Sequence, residues 1–329
     1  MHRCLELARQ GQGRVGNGAM VGAVLVRDGE IIVEAWHEEF GGPHAERKLL
    51  DKFDQKIGSE DILYLSLEPC CHHGKTPPCT DILLQRGIKN IVVGMRDPDS
   101  RVAGRAIKIL REHGSRVVGP ILPELCDRLN KGFVSARAHG RPWVTLKQAL
   151  TRSGEISNVD GSSQKITSSE QDRWSHSSLR ALHDAILVGI NTIISDDPIL
   201  NTRFIQNEGS NKKIDQENAY QPYRIILDPH LRIPLTSRVL TDVHRSRTII
   251  VTSESDSPSA EALRSQGVHI MQIAIENNLF DWDSLWKNLQ TPSESFHGIT
   301  SILIEGGRRT WEAFRNDQMV DEEVILVGR

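Results

Sequence analysis

Pro43-His44-Ala45-Glu46 and, further along, Glu68-Pro69-Cys70-Cys71-His72-His73-Gly74-Lys75-Thr76-Pro77-Pro78-Cys79 are the stretches on which the fold of this chain turns. The first offers an imidazole nitrogen and, two residues on, a carboxylate. The second offers thiols at Cys70, Cys71 and Cys79. One nitrogen and two sulfurs make a zinc donor set that leaves the fourth tetrahedral position to water. A carboxylate left out of that set can move protons. His-Ala-Glu alone is a pattern that chance supplies often; its weight comes from the cysteine segment. That segment meets the usual His-x-Glu, Pro-Cys-x-x-Cys pattern only in part. The residue three after Cys70 is His73, and the next cysteine downstream is Cys79. A structural zinc site, with His72 or His73 joining the cysteines in a non-catalytic interaction protein, is the alternative. It leaves Glu46 and the Leu67-Glu68-Pro69 entry unexplained.

The pattern around these stretches is that of an α/β sheet. Val21 to Val26 forms an apolar run, Asp28-Gly29 a hairpin turn, and Ile31-Ile32-Val33 its return strand. Pro43 suits the first turn of a helix carrying Ala45, Leu49, Leu50 and Phe53 on one face, with His44 and Glu46 at its start. There the helix dipole opposes protonation of His44. Ile62 to Leu67 reads as a strand delivering Cys70 at its end. Helix, strand, helix and strand follow around residues 82–87, 91–94, 106–111 and 117–118. Strands alternating with helices predict a covered sheet whose ligands lie where strands end. Leu125 to Phe133 reads as one linker helix, and residues 136–142, closed by Gly140 and Pro142, as a domain boundary. The expected domains are therefore 1–138 and 142–329. In the second, strands are expected at 143–147, 184–189, 224–228, 248–251 and 301–305, with 206–221 an exposed loop. Gly306-Gly307, between the last strand and a helix bearing Trp311 and Phe314, is a possible phosphate cradle, although glycine after a strand is most often only a turn.

Composition narrows the classes. A chain of 329 residues suits two domains, and 38% hydrophobic with 25% charged residues describes a soluble globular protein. A net charge of −3 and 5% aromatic residues give no footing for a nucleic-acid partner. No apolar run is long enough to span a membrane, and the start lacks a secretory signal. Five cysteines, three of them in one motif, suit metal ligation in a reducing compartment, so a cytoplasmic location is expected.

Three motifs in order carry a specific resemblance: His44-Ala45-Glu46, Leu67 to Cys79, and Asp97-Pro98-Asp99-Ser100-Arg101-Val102-Ala103-Gly104. They resemble the bifunctional deaminase–reductases of riboflavin biosynthesis. The resemblance implies a cytidine-deaminase-like α/β/α sandwich followed by a dihydrofolate-reductase-like α/β domain, here cut short at the C-terminus. It implies zinc on His44, Cys70 and Cys79, with Glu46 as acid/base and Lys75 and Thr76 on the substrate loop. The implied reaction is hydrolytic deamination of a ribosylaminopyrimidine phosphate, followed by NADPH-dependent reduction of the ribosyl group to ribityl. A small-molecule substrate and a homo-oligomer are expected with it.

The second half carries further pieces in the family's order, from Leu146-Lys147-Gln148-Ala149 through Asp184 to Gly189, Asp196 to Arg203, and Glu305-Gly306-Gly307. By resemblance, Lys147, Ser163, Arg180, Leu200, Arg203 and Glu305 face the reductase substrate. Ala149, Lys165, Thr192, Asp196, Gly306 and Gly307 approach NADPH. Departures accompany these pieces. Ser153 replaces an aspartate, Lys165 replaces a tryptophan, Gly18 stands where the family keeps a substrate-contacting asparagine, and the chain stops at Arg329. They motivate an alternative in which only the deaminase half is active. An altered pyrimidine substrate is a variant of the same reading.

Overall fold

The computed structural model describes residues 1–72, 77–99, 102–154, 166–203, 220–277 and 279–328. The chain forms two compact units, one of residues 1–141 with Pro292–Gly298, the other of residues 142–291 with 299–329.

In the first unit, helix α1 (His2–Ala8) precedes strands β1 (Gly22–Arg27) and β2 (Glu30–Trp36). Asp28 and Gly29 both take positive φ, 51° and 83°, as a two-residue hairpin turn requires. Then come α2 (Ala45–Lys52), β3 (Ile62–Leu67), α3 (Cys79–Gln85), β4 (Asn90–Met95), α4 (Arg105–Glu112), β5 (Arg116–Val118), α5 (Pro123–Leu129) and α6 (Lys131–Ala138). The five strands lie in the order β2-β1-β3-β4-β5, antiparallel through β3 and parallel from there on. Strand alternation sorts the core into two faces. Ala23, Leu25, Leu63 and Leu65 pack with Leu49 and Leu50 of α2, Leu83 of α3 and Leu110 of α4. Val24 and the partly buried Tyr64, one residue out of step, pack with Cys4 and Leu7 of α1. Cys126 and Phe133, on α5 and α6, cluster with Leu5, Leu67 and Met95. A sheet with helices on both faces is the expected α/β/α sandwich.

Two local expectations are corrected. Helix α2 begins at Ala45 rather than at Pro43, because His44 is the extended N-cap residue (φ −63°, ψ 159°). The extended backbone lets His44 turn its ring out of the helix. The single helix expected over 125–133 is two, broken at Asn130 (φ −105°, ψ 21°). There the Asn130 amide pairs both ways with the Met20 backbone, accepting from its N–H at 2.8 Å and donating to its carbonyl at 3.0 Å. The break gives up helix continuity to fix the loop before β1.

The second unit contains β6 (Trp143–Leu150), α7 (Ser169–Trp174), a π turn (Ser175–Leu179), β7 (Ala185–Gly189), α8 (Ile190–Asp196), β8 (Tyr223–Leu227), α9 (Arg238–Thr241), β9 (Thr248–Thr252), α10 (Pro258–Ser265) and β10 (His269–Gln272). A two-residue ladder of β11 (Ile275–Glu276) and β12 (Leu279–Phe280), then α11 (Trp282–Gln290), β13 (Ser301–Gly306), α12 (Arg308–Asn316) and β14 (Glu322–Val327), complete it. Seven strands form one sheet in the order β10-β9-β8-β7-β13-β6-β14, every pairing parallel. Central strands such as Ala185-Ile186-Leu187-Val188 are buried on both faces, which is why they read as unbroken apolar runs. Most of the loop expected over 206–221 lies outside the described residues.

Candidate metal centre and a charged cluster in the second unit

His44 leaves the start of α2, Cys70 follows the end of β3, and Cys79 opens α3. Their ligand atoms all lie within 4.8 Å of one another. His44 Nδ1 is 3.5 Å from Cys70 Sγ and 3.4 Å from Cys79 Sγ, and the Cys79 N–H donates to Cys70 Sγ at 3.2 Å. Among the described residues the cluster has these three members; Cys71 and His72 are not in it. Glu46, in the first turn of α2, is 3% exposed. Burial raises its carboxyl pKa, so it holds a proton more readily than a surface glutamate.

The cluster settles its own protons. Cys70 is lowered by its Cys79 and His44 contacts, whereas Cys79 is raised by Cys70 and by burial. Contact with Cys70 holds His44 up at about 8, so the adjacent sulfur outweighs the helix dipole that was expected to keep His44 neutral. One thiolate beside an imidazolium and a thiol is a set whose protons a divalent cation displaces. The sulfur–sulfur–nitrogen donors and their convergence fit zinc.

A cavity of about 440 Å³ opens on this cluster, lined among others by Gly18, His37, Phe40, Asp97, Asp99 and Arg137. His37 ends the turn out of β2, where its Nδ1 lies 3.1 Å from the Pro43 carbonyl and its ring meets His44 edge-on at 5.4 Å. The carbonyl can only accept, so Nδ1 carries the proton and Nε2 is the free acceptor. His37 was not singled out in the sequence; its position directly after a strand was the signal available. Gly18 lines the cavity where a Cβ would stand 3.0 Å from the Val15 carbonyl and 3.7 Å from His37 Nε2.

Glu68, inside the Leu-Glu-Pro entry, is 2% exposed and supports the site from behind. Its carboxylate accepts from the backbone N–H groups of Asp97 (3.2 Å), Gly104 (2.9 Å), Ala106 (3.1 Å) and Ile107 (3.4 Å). One side chain thereby ties the Cys70 loop to β4's exit and to the first turn of α4. Lys75 and Thr76 lie outside the described residues.

In the second unit the structure brings Arg180, Arg203 and Glu305 together around the partly buried Lys147, with His176 among them. Arg180 grips Glu305 in a two-pronged pair (Nε–Oε1 2.7 Å, Nη2–Oε2 2.6 Å) and donates through Nη1 to the Asn201 carbonyl at 2.7 Å. Burial alone would raise Glu305, but the Arg180 charge and hydrogen bonds, then Lys147, hold it down at about 2. Arg203 keeps a spare donor: its Nε is buried without a partner. Burial, then the Arg180 and Arg238 charges, lowers its pKa. Leu200 turns its side chain into the core (2% exposed) with φ +54°, so only its backbone is free to face a ligand.

Gly306 and Gly307 end β13 beside Thr192 of α8. A Cβ on Gly306 would stand 2.8 Å from Thr192 Oγ1 and 2.9 Å from Cγ2, and one on Gly307 (φ +87°) would fill the space between the Thr192 and Thr310 hydroxyls. This is a bare backbone step before α12 that fits a cofactor's phosphates. Asp196 is exposed at the end of α8, and Ala149 is partly buried on β6. Ser163 and Lys165 lie outside the described residues.

Residues 1–95 match the family described as cytidine and deoxycytidylate deaminase zinc-binding region, and residues 142–328 match the RibD C-terminal domain. The riboflavin biosynthesis protein RibD of Actinobacillus pleuropneumoniae is 38% identical over 93% of this chain and 77% of its own length. That of Aquifex aeolicus is 36% identical over 100% of this chain and 85% of its own. The solved structure of Acinetobacter baumannii RibD superposes with a TM-score of 0.81 at 32% identity, covering 99% of this chain and 85% of that one. The Thermotoga maritima diaminohydroxyphosphoribosylaminopyrimidine deaminase/5-amino-6-(5-phosphoribosylamino)uracil reductase gives 0.77, also at 32% identity, over 99% and 85%. With a three-donor metal cluster in one unit, and a cation cluster around Glu305 followed by a glycine step in the other, the chain belongs to the RibD family of bifunctional deaminase–reductases of riboflavin biosynthesis.

Proposed function

We propose that His44, Cys70 and Cys79 hold zinc, that Glu46 is the proton shuttle, and that residues 1–138 act on the aminopyrimidine before residues 142–329 act on its sugar. The convergence of the three ligand atoms within 4.8 Å beside a buried Glu46 carries this reading. Zinc, when bound, makes a water nucleophilic near neutral pH. Glu46 would take one proton from the attacking water and pass it to the ring nitrogen, then carry the remaining hydroxyl proton to the departing amine as the carbon–nitrogen bond breaks and the carbonyl forms. His37, fixed as the Nε2 acceptor, and Arg137 orient the pyrimidine and its substituents in the cavity.

In the second unit NADPH supplies hydride. Gly306, Gly307 and Thr192 seat its phosphates, with Asp196, Ala149 and Lys165 completing the cofactor side. Arg180 gives three of its five N–H donors to Glu305 and the Asn201 carbonyl, holding both in place beside the substrate it faces. Lys147 and Arg203 take the substrate's phosphate, and Glu305, Ser163 and the Leu200 backbone face its sugar. In the first domain Lys75 and Thr76 contact the pyrimidine ribosyl phosphate.

The test supplies 2,5-diamino-6-ribosylamino-4(3H)-pyrimidinone 5′-phosphate to zinc-quantified protein, following ammonia release and NADPH oxidation together. Both signals are expected. Ammonia without NADPH oxidation would leave an active deaminase beside an idle reductase fold. Glu46→Gln should lose ammonia release while keeping its zinc; retained deamination would remove Glu46 from its role.

A further inference from the structure

The π turn at Ser175–Leu179 does something an α-helix cannot. In an α-helix the N–H of Arg180 would bond to the carbonyl of His176, four residues back. Here it reaches the carbonyls of Ser175 and Ser177 instead. The His176 carbonyl accepts from the backbone N–H of Arg203 at 2.9 Å. The His176 ring makes a second contact with the same residue, Nδ1 to Arg203 Nη2 at 3.2 Å. A guanidinium has no acceptor, so the imidazole accepts at Nδ1 and carries its proton on Nε2. Single-turn π segments of this kind are frequent at functional sites.

These contacts restrain Arg203 at its backbone and at one end of its fork. Nη2 is held by a neutral acceptor that leaves the guanidinium charge uncompensated. Nε stays buried and unpartnered, and so does Asn201 Oδ1 two residues earlier. The carboxylate of the cluster, Glu305, is claimed by Arg180. We propose that His176 is a positioning residue of the reductase, which aims Arg203 at the substrate's phosphate without neutralising it. Burial and the surrounding Arg180, Arg203 and Lys147 charges keep the imidazole uncharged, its pKa lowered to about 4. A carboxylate at 176 would grip Arg203 more tightly but cancel the charge meant for the ligand. The inference rests on the reading of Arg203 as the phosphate-facing cation.

The experiment compares reduction of 5-amino-6-(5-phosphoribosylamino)uracil with that of its dephosphorylated nucleoside, using full-length protein. His176→Ala should raise KM for the phosphorylated substrate about tenfold, as expected for losing one well-aimed charge-assisted contact. Its kcat, and both constants for the nucleoside, should stay near those of the parent. His176→Asn, which returns an acceptor near the Nδ1 position, should recover most of the loss. Arg203→Ala should erase the preference for phosphate, and adding His176→Ala to it should cost nothing more. Intact phosphate preference in His176→Ala, with the preference erased in Arg203→Ala, overturns the positioning role alone. Intact preference in Arg203→Ala overturns the phosphate reading of Arg203 itself. Equal losses on both substrates in His176→Ala make the residue merely structural and overturn the inference. Urea unfolding followed by the fluorescence of the tryptophans, five of six of which lie in the second unit, verifies that this unit is folded in each preparation, and His176→Asn carries the test if His176→Ala fails that check.

Discussion

Arg180→Met should destabilise the second unit far more than the loss of a surface charge would. In the parent the Arg180 and Glu305 side chains are 4% and 7% exposed, and their bonds are 2.6 and 2.7 Å long. Removing Arg180 strands a carboxylate in the interior, a change that costs about 3–5 kcal/mol. The lowering of Glu305 from 4.5 to about 2 gives an independent figure. At 1.36 kcal/mol per unit it corresponds to about 3 kcal/mol. The sign follows from the direction of the shift. A depressed carboxyl contributes stability above its unfolded value near 4.5, and that stability is lost as pH falls towards 2. The deficit of Arg180→Met should therefore be largest at neutral pH and shrink in acid. Five of the six tryptophans lie in the second unit, so urea titration followed by tryptophan fluorescence reports the right half of the molecule. Glu305→Gln, and the double variant with Arg180→Met, complete a thermodynamic cycle. The double variant should be more stable than Arg180→Met alone. A cost under about 1 kcal/mol for Arg180→Met, or strictly additive single changes, would refute the reasoning.

Three further outcomes are expected. Cys79→Ser should lose stoichiometric zinc and deamination while NADPH still reduces pre-deaminated substrate; retained zinc by elemental analysis would remove Cys79 from the ligand set. Glu68→Gln puts an amide NH2 against backbone donors, so the first unit should lose roughly 2–4 kcal/mol, measured by hydrogen exchange at Gly104 and Ala106, and a change below 1 kcal/mol would remove the clamp. Gly306→Ala places a methyl 2.8 Å from Thr192 Oγ1, so NADPH oxidation should collapse with ammonia release intact, and Thr192→Ala in the same chain should restore part of it; unaltered NADPH affinity by titration would dismiss the glycine step.

The residues of the convergent donor cluster were legible because their spacing is demanding. Cys70 and Cys79 stand out once His44 and Glu46 are seen, and the strand and helix patterns around them place all four at strand ends and helix starts. Apolar runs such as Ile186-Leu187-Val188 announced buried parallel strands for the same reason: burial on both faces leaves no room for polar alternation. Tertiary bonds were less accessible. Nothing local marks Asn130 as the break between two helices, because its partner is Met20, far back in the sequence. His176 sits among serines in an undistinguished helical stretch, and only the π turn and Arg203 give it significance. Glu68 read as part of a metal motif, yet its carboxylate serves backbone N–H groups on another segment. Arg180 read as a ligand-facing cation; that three of its five N–H donors go to Glu305 and Asn201 could not be read from its neighbours in sequence.

The place of β13 in the second sheet bears on how the chain emerges from the ribosome. It pairs with β6 on one side and β7 on the other, although both are synthesised more than a hundred residues earlier. At an elongation rate of about 5–20 residues per second, β6 and β7 stand translated but unjoined for roughly 10 s. Through that interval each holds an unpaired inner edge, the kind of surface that chaperones occupy and misassembly exploits. The deaminase strands β1 to β5 are all made before β6 begins, so their sheet can close while the reductase sheet waits. Nascent chains stalled before Ser301 should therefore be protease-resistant over the first five strands and readily cut between β6 and β7. Equal resistance in both regions would mean that β6 and β7 find temporary partners, and that β13 must displace them when it arrives.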